Sequence, residues 1–164
     1  MHADLDMETG EILIQGSDFL IRPKLTLRDL SGTRFGSYFI SQDTPWYGKN
    51  SMAFKAREPI EICGTNFFLL IFAQGGSIYQ MTLTYCPLGV KSIGPGFFRL
   101  ISHIVERSFA TFPVYSLDTE YNACLAWLKR VTGCDSATHF RPWGYLELVI
   151  HREREFVLIN VTYK

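Results

Sequence analysis

The sequence predicts a single α+β domain: a mostly antiparallel sheet built from hairpins, with two main helices inserted before the C-terminal hairpin. Three observations carry this. Residues 144–151 and 156–163 form two long alternating arms around Arg152-Glu153-Arg154-Glu155. Leu146, Leu148 and Ile150 share one face of the first arm, and Val157, Ile159, Val161 and Tyr163 share a face of the second. A second hairpin runs through Phe67–Phe72, the turn Ala73-Gln74-Gly75-Gly76, and Ile78–Tyr85. Between the two hairpins the apolar period lengthens to that of helices.

Taken in order, Asp4-Leu5-Asp6-Met7 alternates polar and apolar, Glu8-Thr9-Gly10 turns, and Glu11-Ile12-Leu13-Ile14 returns. Gly16-Ser17-Asp18 breaks the chain before Phe19-Leu20-Ile21. Thr26 and Asp29 have the spacing of a capping box, which predicts a short helix ended by Ser31-Gly32. Tyr38–Ile40, Met52–Ala56 and Ile60–Cys63 read as short strands, with a loop at 43–50 between the first two. Cys86-Pro87 ends the strand that precedes it, because proline supplies no ladder donor. Phe97, Leu100, Ile101, Ile104, Val105 and Phe109 recur at helical spacing. A second helix follows Pro113, capped by Ser116 or Asp118, with the stripe Tyr121, Cys124, Leu125, Leu128 and Val131. Trp127 is placed on the flank of that stripe. Lys129 and Arg130 suit its C-terminal dipole, and Gly133 suits the C′ position. The segment 134–139 reads as a polar connection, with Trp143 packed at the start of the last hairpin.

At 164 residues the chain falls in the one-domain range. Hydrophobic residues make up 47% and charged residues 20%, enough apolar content to predict order everywhere but the extreme N-terminus. Sixteen basic side chains balance sixteen acidic ones. That balance argues against a nucleic-acid partner, whose phosphates are usually met by a basic excess. The charge is unevenly placed, however. Residues 1–21 carry Asp4, Asp6, Glu8, Glu11 and Asp18 with no Lys or Arg, and residues 22–57 carry seven basic side chains against Asp29 and Asp43. Such asymmetry either steers a charged partner or is neutralised by the two segments lying side by side. Four acids before residue 12 and no basic-then-apolar leader predict no secretory signal, and the longest apolar run, Phe67–Ala73, is too short to span a bilayer. Cys63, Cys86, Cys124 and Cys134 are far apart and read as reduced, mostly buried thiols. The expected location is the cytoplasm.

Chemical motifs are sparse. Gly94-Pro95-Gly96 begins like a dinucleotide fingerprint, but Arg99 stands where the third glycine belongs. His103 and Glu106 share a predicted helix face without the further ligands a metal needs. Cys134, Ser136 and His139 form the densest cluster of nucleophile-type residues, which catalysis would use only if a base and its orienting group converge there. Asp4, Asp6 and Glu8 are close enough in sequence to share a proton or ion, but a hairpin position favours a solvated edge. Trp46 and Tyr47 lie in a Pro/Gly-containing loop, where they serve either as interface anchors or as a plug over one end of the sheet. No catalytic residue, metal or cofactor is expected.

The Leu5–Ile12 hairpin, the Phe67–Phe72 and Ile78–Leu83 pair, and Leu125-Ala126-Trp127-Leu128 with Gly133 give the chain a layout that resembles a family of small bacterial cytoplasmic proteins. Trp143-Gly144 and the final Val161-Thr162-Tyr163 belong to the same likeness, which touches about half of the chain. Some members of that family look like immunity proteins of toxin–immunity systems, of the contact-dependent or type VI secretion kind. The final turn, Arg-Glu-Arg-Glu, departs from the expected Asp/Lys/Gly type, and 97–109 looks like an elaboration. The resemblance implies a non-enzymatic protein that binds and neutralises a cognate toxin, and it transfers no catalytic residue. Asp4, Asp6, Glu8, Glu11, Trp46 and Tyr47 are then the candidate partner-binding residues. The alternatives are an adaptor or chaperone for a secreted effector and a small hydrolase using Cys134 or Ser136 with His139. The sequence does not define the oligomeric state.

Overall fold

The computed structural model describes residues 1–43, 50–86, 117–152 and 156–164. The predicted helix over 97–109, the Trp46–Tyr47 loop, and Glu153 and Glu155 lie outside them. Among the described residues, ten strands form one sheet, joined by a four-residue helical turn, α1 (Phe35–Tyr38), and one long helix, α2 (Leu117–Thr132). The strands are β1 (His2–Leu5), β2 (Ile12–Ile14), β3 (Phe39–Asp43), β4 (Ser51–Ala56) and β5 (Ile60–Ile62). They continue with β6 (Thr65–Gln74), β7 (Ser77–Tyr85), β8 (Thr138–Arg141), β9 (Gly144–His151) and β10 (Phe156–Tyr163). The α+β class with a mostly antiparallel sheet is as the sequence predicts.

The main path runs β2-β1-β5-β6-β7-β10-β9-β8. β6 is long enough to hold two partners on one edge: β5 pairs with its residues 65–67 and β4 with its residues 70–74. β3 then flanks β4. The pairing of β1 with β5 is parallel, whereas every other strand pair is antiparallel.

β6 and β7 form the centre because β6 is apolar on both faces. Phe67, Leu69, Ile71 and Ala73 join the main core, and Phe68, Leu70 and Phe72 pack on the opposite face with Ala53 and Cys86. Gly75 and Gly76, with φ of 58° and 84°, turn the chain tightly between the two strands, as a two-residue hairpin loop of this hand requires. The strands thus extend further into the predicted turn than alternation alone suggests.

α2 lays its apolar stripe on the main core. Asp118 and Glu120 occupy its first turn, Lys129 and Arg130 its last, and Gly133, with φ of 74°, donates its N–H to the Lys129 carbonyl at 2.8 Å. Trp127 is the correction here. It is fully buried rather than on the flank, its indole N–H donates to the Ile62 carbonyl at 2.8 Å, and its ring meets Phe67 edge-on at 5.2 Å. Cys124 lies three and four residues before Trp127 and Leu128, and Val131 four and three residues after them, so all four share a helical face and the indole points at the sheet. No helix among the described residues is long and apolar enough to cross a membrane.

Three local expectations change. The Thr26–Asp29 box forms, with Thr26 N–H to Asp29 Oδ2 at 3.0 Å and Asp29 N–H to Thr26 Oγ1 at 3.3 Å, but it closes turns rather than a helix. Thr26 bridges Ser77 in the sheet, and Gly32 follows too soon for a helix to propagate. Residues 138–141 are strand β8, not a connection. Finally, the N-terminus is tied down: Glu61 N–H donates to the Met1 carbonyl at 2.8 Å, and β1 begins at His2.

The sheet curls until its ends meet. The Trp143 indole, between β8 and β9, donates to the Met7 carbonyl at 3.1 Å, and the Tyr163 hydroxyl, at the end of β10, donates to the Gly10 carbonyl at 2.8 Å.

Candidate functional site

The N-terminal hairpin alternates cleanly. Ala3, Leu5, Ile12 and Ile14 face the core, so Asp4 and Leu13, directly opposite each other, face outward. Between the strands Asp6 shapes the turn. Its Oδ1 accepts the Glu8 N–H at 2.7 Å and the Thr9 N–H at 3.3 Å, and Gly10 N–H donates to the Asp6 carbonyl at 2.8 Å. Those backbone donors favour the charged carboxylate and hold Asp6 below its ordinary pKa.

Asp4, Asp6 and Glu11 line one open cleft of about 590 Å³, together with Asp18. Its apolar part is Leu13, Phe19 and Leu20, of which Leu13 is 48% exposed. Asp18 enters because the Gly16–Asp18 break folds the chain back beside β2, where Ile21 bridges Ile12. Arg34 meets it there: its backbone N–H donates to Asp18 Oδ1 at 2.8 Å, and its Nε lies 3.8 Å from Oδ2. Among the described residues this is an ion pair joining the acidic and basic segments, and an exposed pair of that kind contributes ~0–1 kcal/mol. Asp4 and Asp6 are exposed and Glu11 is half-buried, beside the apolar lining residues. Such a surface suits a basic segment with an apolar residue.

Glu8 is not part of that cleft. It lines a second, of about 520 Å³, with Pro23, Lys24, Pro142, Trp143 and Lys164. The sequence grouped Glu8 with the other acids; the turn places it in this second cleft instead. Trp46 and Tyr47 lie outside the described residues. Asp18, Leu13, Phe19 and Leu20 were not singled out by sequence, and only the acidity of residues 1–21 pointed toward Asp18.

In the Cys134–His139 cluster, Ser136 and His139 bond mainly to backbone groups. The His139 Nε2 lies 2.7 Å from the Ser136 carbonyl oxygen, which can only accept, so the ring donates there. Thr132 Oγ1 is 3.4 Å from the same nitrogen. The Ser136 hydroxyl donates to the Thr138 carbonyl at 2.9 Å and accepts the Thr138 N–H at 3.3 Å. Leu148 N–H donates to the Ala137 carbonyl, so Ala137 faces β9 and Thr138 points its backbone groups outward. Ser136 therefore satisfies an open position on the edge of β8, a device that discourages edge-to-edge pairing. Cys134 is exposed, and its backbone N–H donates to Thr132 Oγ1 at 3.3 Å.

Elsewhere, burial pushes the Cys86 thiol up to about 11 and the Cys124 thiol up to about 12, Glu120 adding to the latter. No group of three or more His, Cys, Asp or Glu side chains among the described residues is placed to hold a metal ion. Phe140 stands out on the outer face of β8: it is 74% exposed, with Tyr145 at 5.9 Å across the hairpin. Further along that face Gln80 Nε2 and Thr82 Oγ1 both donate to Asn160 Oδ1, at 2.9 and 3.1 Å.

No family model matches the chain, and no curated protein or solved structure matches it either.

Proposed function

We propose that this chain is a non-enzymatic binding protein that neutralises a cognate toxin, as an immunity protein does, and that the cleft beside β1 and β2 receives a basic segment of that partner. One observation carries the reading: Asp4, Asp6, Glu11 and Asp18, spread over residues 4–18, line a single open cleft with a partly exposed apolar floor. Rim carboxylates of this kind act mainly on encounter and specificity, and the apolar contact slows dissociation.

The test is capture of a partner from the source cell by the tagged chain, followed by kinetics with the purified pair. A one-to-one complex is expected in which the partner's toxicity is abolished. An Asp4→Asn, Asp6→Asn, Glu11→Gln variant should associate at least about tenfold more slowly at low salt, with the deficit shrinking as salt rises. A variant that binds and protects like the parent at every salt concentration removes this cleft from the interface. A partner that stays active in the complex makes the chain an adaptor instead.

A further inference from the structure

The turn between β1 and β2 carries Asp6 and borders Glu11. Its local hydrogen bonds, Asp6 N–H to the Glu11 carbonyl at 2.9 Å and Gly10 N–H to the Asp6 carbonyl at 2.8 Å, shape the turn within its own short hairpin. β1 has four residues and β2 three, and a two-stranded hairpin of that size is marginal alone. Further fixed points for the turn come from the other end of the sheet. The Tyr163 hydroxyl donates to the Gly10 carbonyl at 2.8 Å in a buried contact, and the Trp143 indole N–H donates to the Met7 carbonyl at 3.1 Å. The two rings also pack on one another, with centroids 5.9 Å apart at 63°. Gly10 lets them approach: at φ of 74° a Cβ would come within 2.7 Å of Trp143 Cε3 and 2.8 Å of Cγ. Only glycine tolerates both the backbone angle and the indole.

We propose that Trp143 and Tyr163 are positioning residues which latch the Asp6–Glu11 turn to the far end of the sheet and so hold the carboxylates of Asp6 and Glu11 in the cleft. The importance of that hold rests on the partner-binding reading of the cleft; the latch itself does not. Both donors are neutral and aimed at backbone carbonyls, so the tie is geometric and insensitive to salt. Its loss leaves each carbonyl without its donor and lets the turn sample other conformations, while β6 and β7, which make none of these contacts, stay paired.

Hydrogen exchange on the free chain tests this without a partner. Tyr163→Phe and Trp143→Phe each keep an aromatic ring and remove one donor. Each should speed exchange of the Asp6 and Gly10 amides about fivefold to tenfold, the effect of one hydrogen bond, and leave the β6–β7 amides unchanged. The Asp6 carboxyl, followed by its own NMR titration, should move up toward the ordinary value as its turn loosens. Unchanged exchange at Asp6 and Gly10 overturns the latch. So does an equal increase in β6–β7, which would mark general destabilisation. Because no ligand enters the experiment, a failed latch is distinguished from a failed assignment of the cleft, which the capture experiment decides.

Discussion

Replacing Trp127 tests how α2 is fastened to the sheet. The side chain is fully buried, it touches Phe67 edge-on, and its indole N–H donates to the Ile62 carbonyl at the end of β5. Trp127→Ala removes the largest fully buried side chain among the described residues, at ~3–5 kcal/mol for an aromatic truncated in a core. It also removes the donor to a buried carbonyl, a further ~1–3 kcal/mol. The sum, about 4–8 kcal/mol, is comparable with the ~5–15 kcal/mol total stability of an ordinary domain. Trp127→Ala is therefore expected to be largely unfolded or molten. Trp127→Phe isolates the hydrogen bond more gently: a ring remains for Phe67, and the expected loss is about 2–4 kcal/mol from the carbonyl and the smaller ring volume. Urea unfolding followed by far-UV circular dichroism measures it, with an unchanged m-value expected if the two end states keep their exposed areas. A Trp127→Phe unfolding free energy within about 0.5 kcal/mol of the parent would refute the account, because the indole would then not fasten the helix.

Acid unfolding should report two turn carboxylates. The pKa of Asp6 is lowered by the Glu8 and Thr9 N–H groups, and that of Asp29 by the Thr26 N–H and hydroxyl, each from an ordinary 3.8. A depressed folded pKa gives stability that is present above the ordinary value and is lost as pH falls through the folded one. An Asp6→Asn, Asp29→Asn variant should consequently lose less stability than the parent on acidification below that value. Parallel pH profiles would count against these bonds. With a thiol reagent at mildly alkaline pH, exposed Cys134 should react first and Cys134→Ser should remove the fast phase. Cys86 and Cys124, buried with raised pKa values, should react only on unfolding, so fast labelling of either would contradict their placement.

Much of the candidate site was present in the sequence as composition. The density of acids before residue 21 singled out Asp4, Asp6 and Glu11, and the hairpin that carries them followed from alternation around Glu8-Thr9-Gly10. That Glu8 turns away and Asp18 turns in was not legible. Both depend on how Asp6 caps its turn and on how residues 16–21 fold back beside β2, contacts with no sequence period. Ser136 and His139 illustrate the reverse. Their residue types suggested a nucleophile and a base, while their placement makes one a guard of the β8 edge and the other a donor to a carbonyl.

The sequence alone determined the α+β class, the β6–β7 and β9–β10 hairpins, and α2 with its glycine stop, because each rests on a local period or on a turn whose chemistry lies in neighbouring residues. Tertiary structure alone decided the parallel pairing of β1 with β5, the sharing of β6 between β4 and β5, the inward Trp127, and the closure of the sheet through Tyr163 and Gly10. These join residues up to 153 positions apart. Their formation depends on which faces and edges the whole sheet leaves available, and no local pattern encodes that.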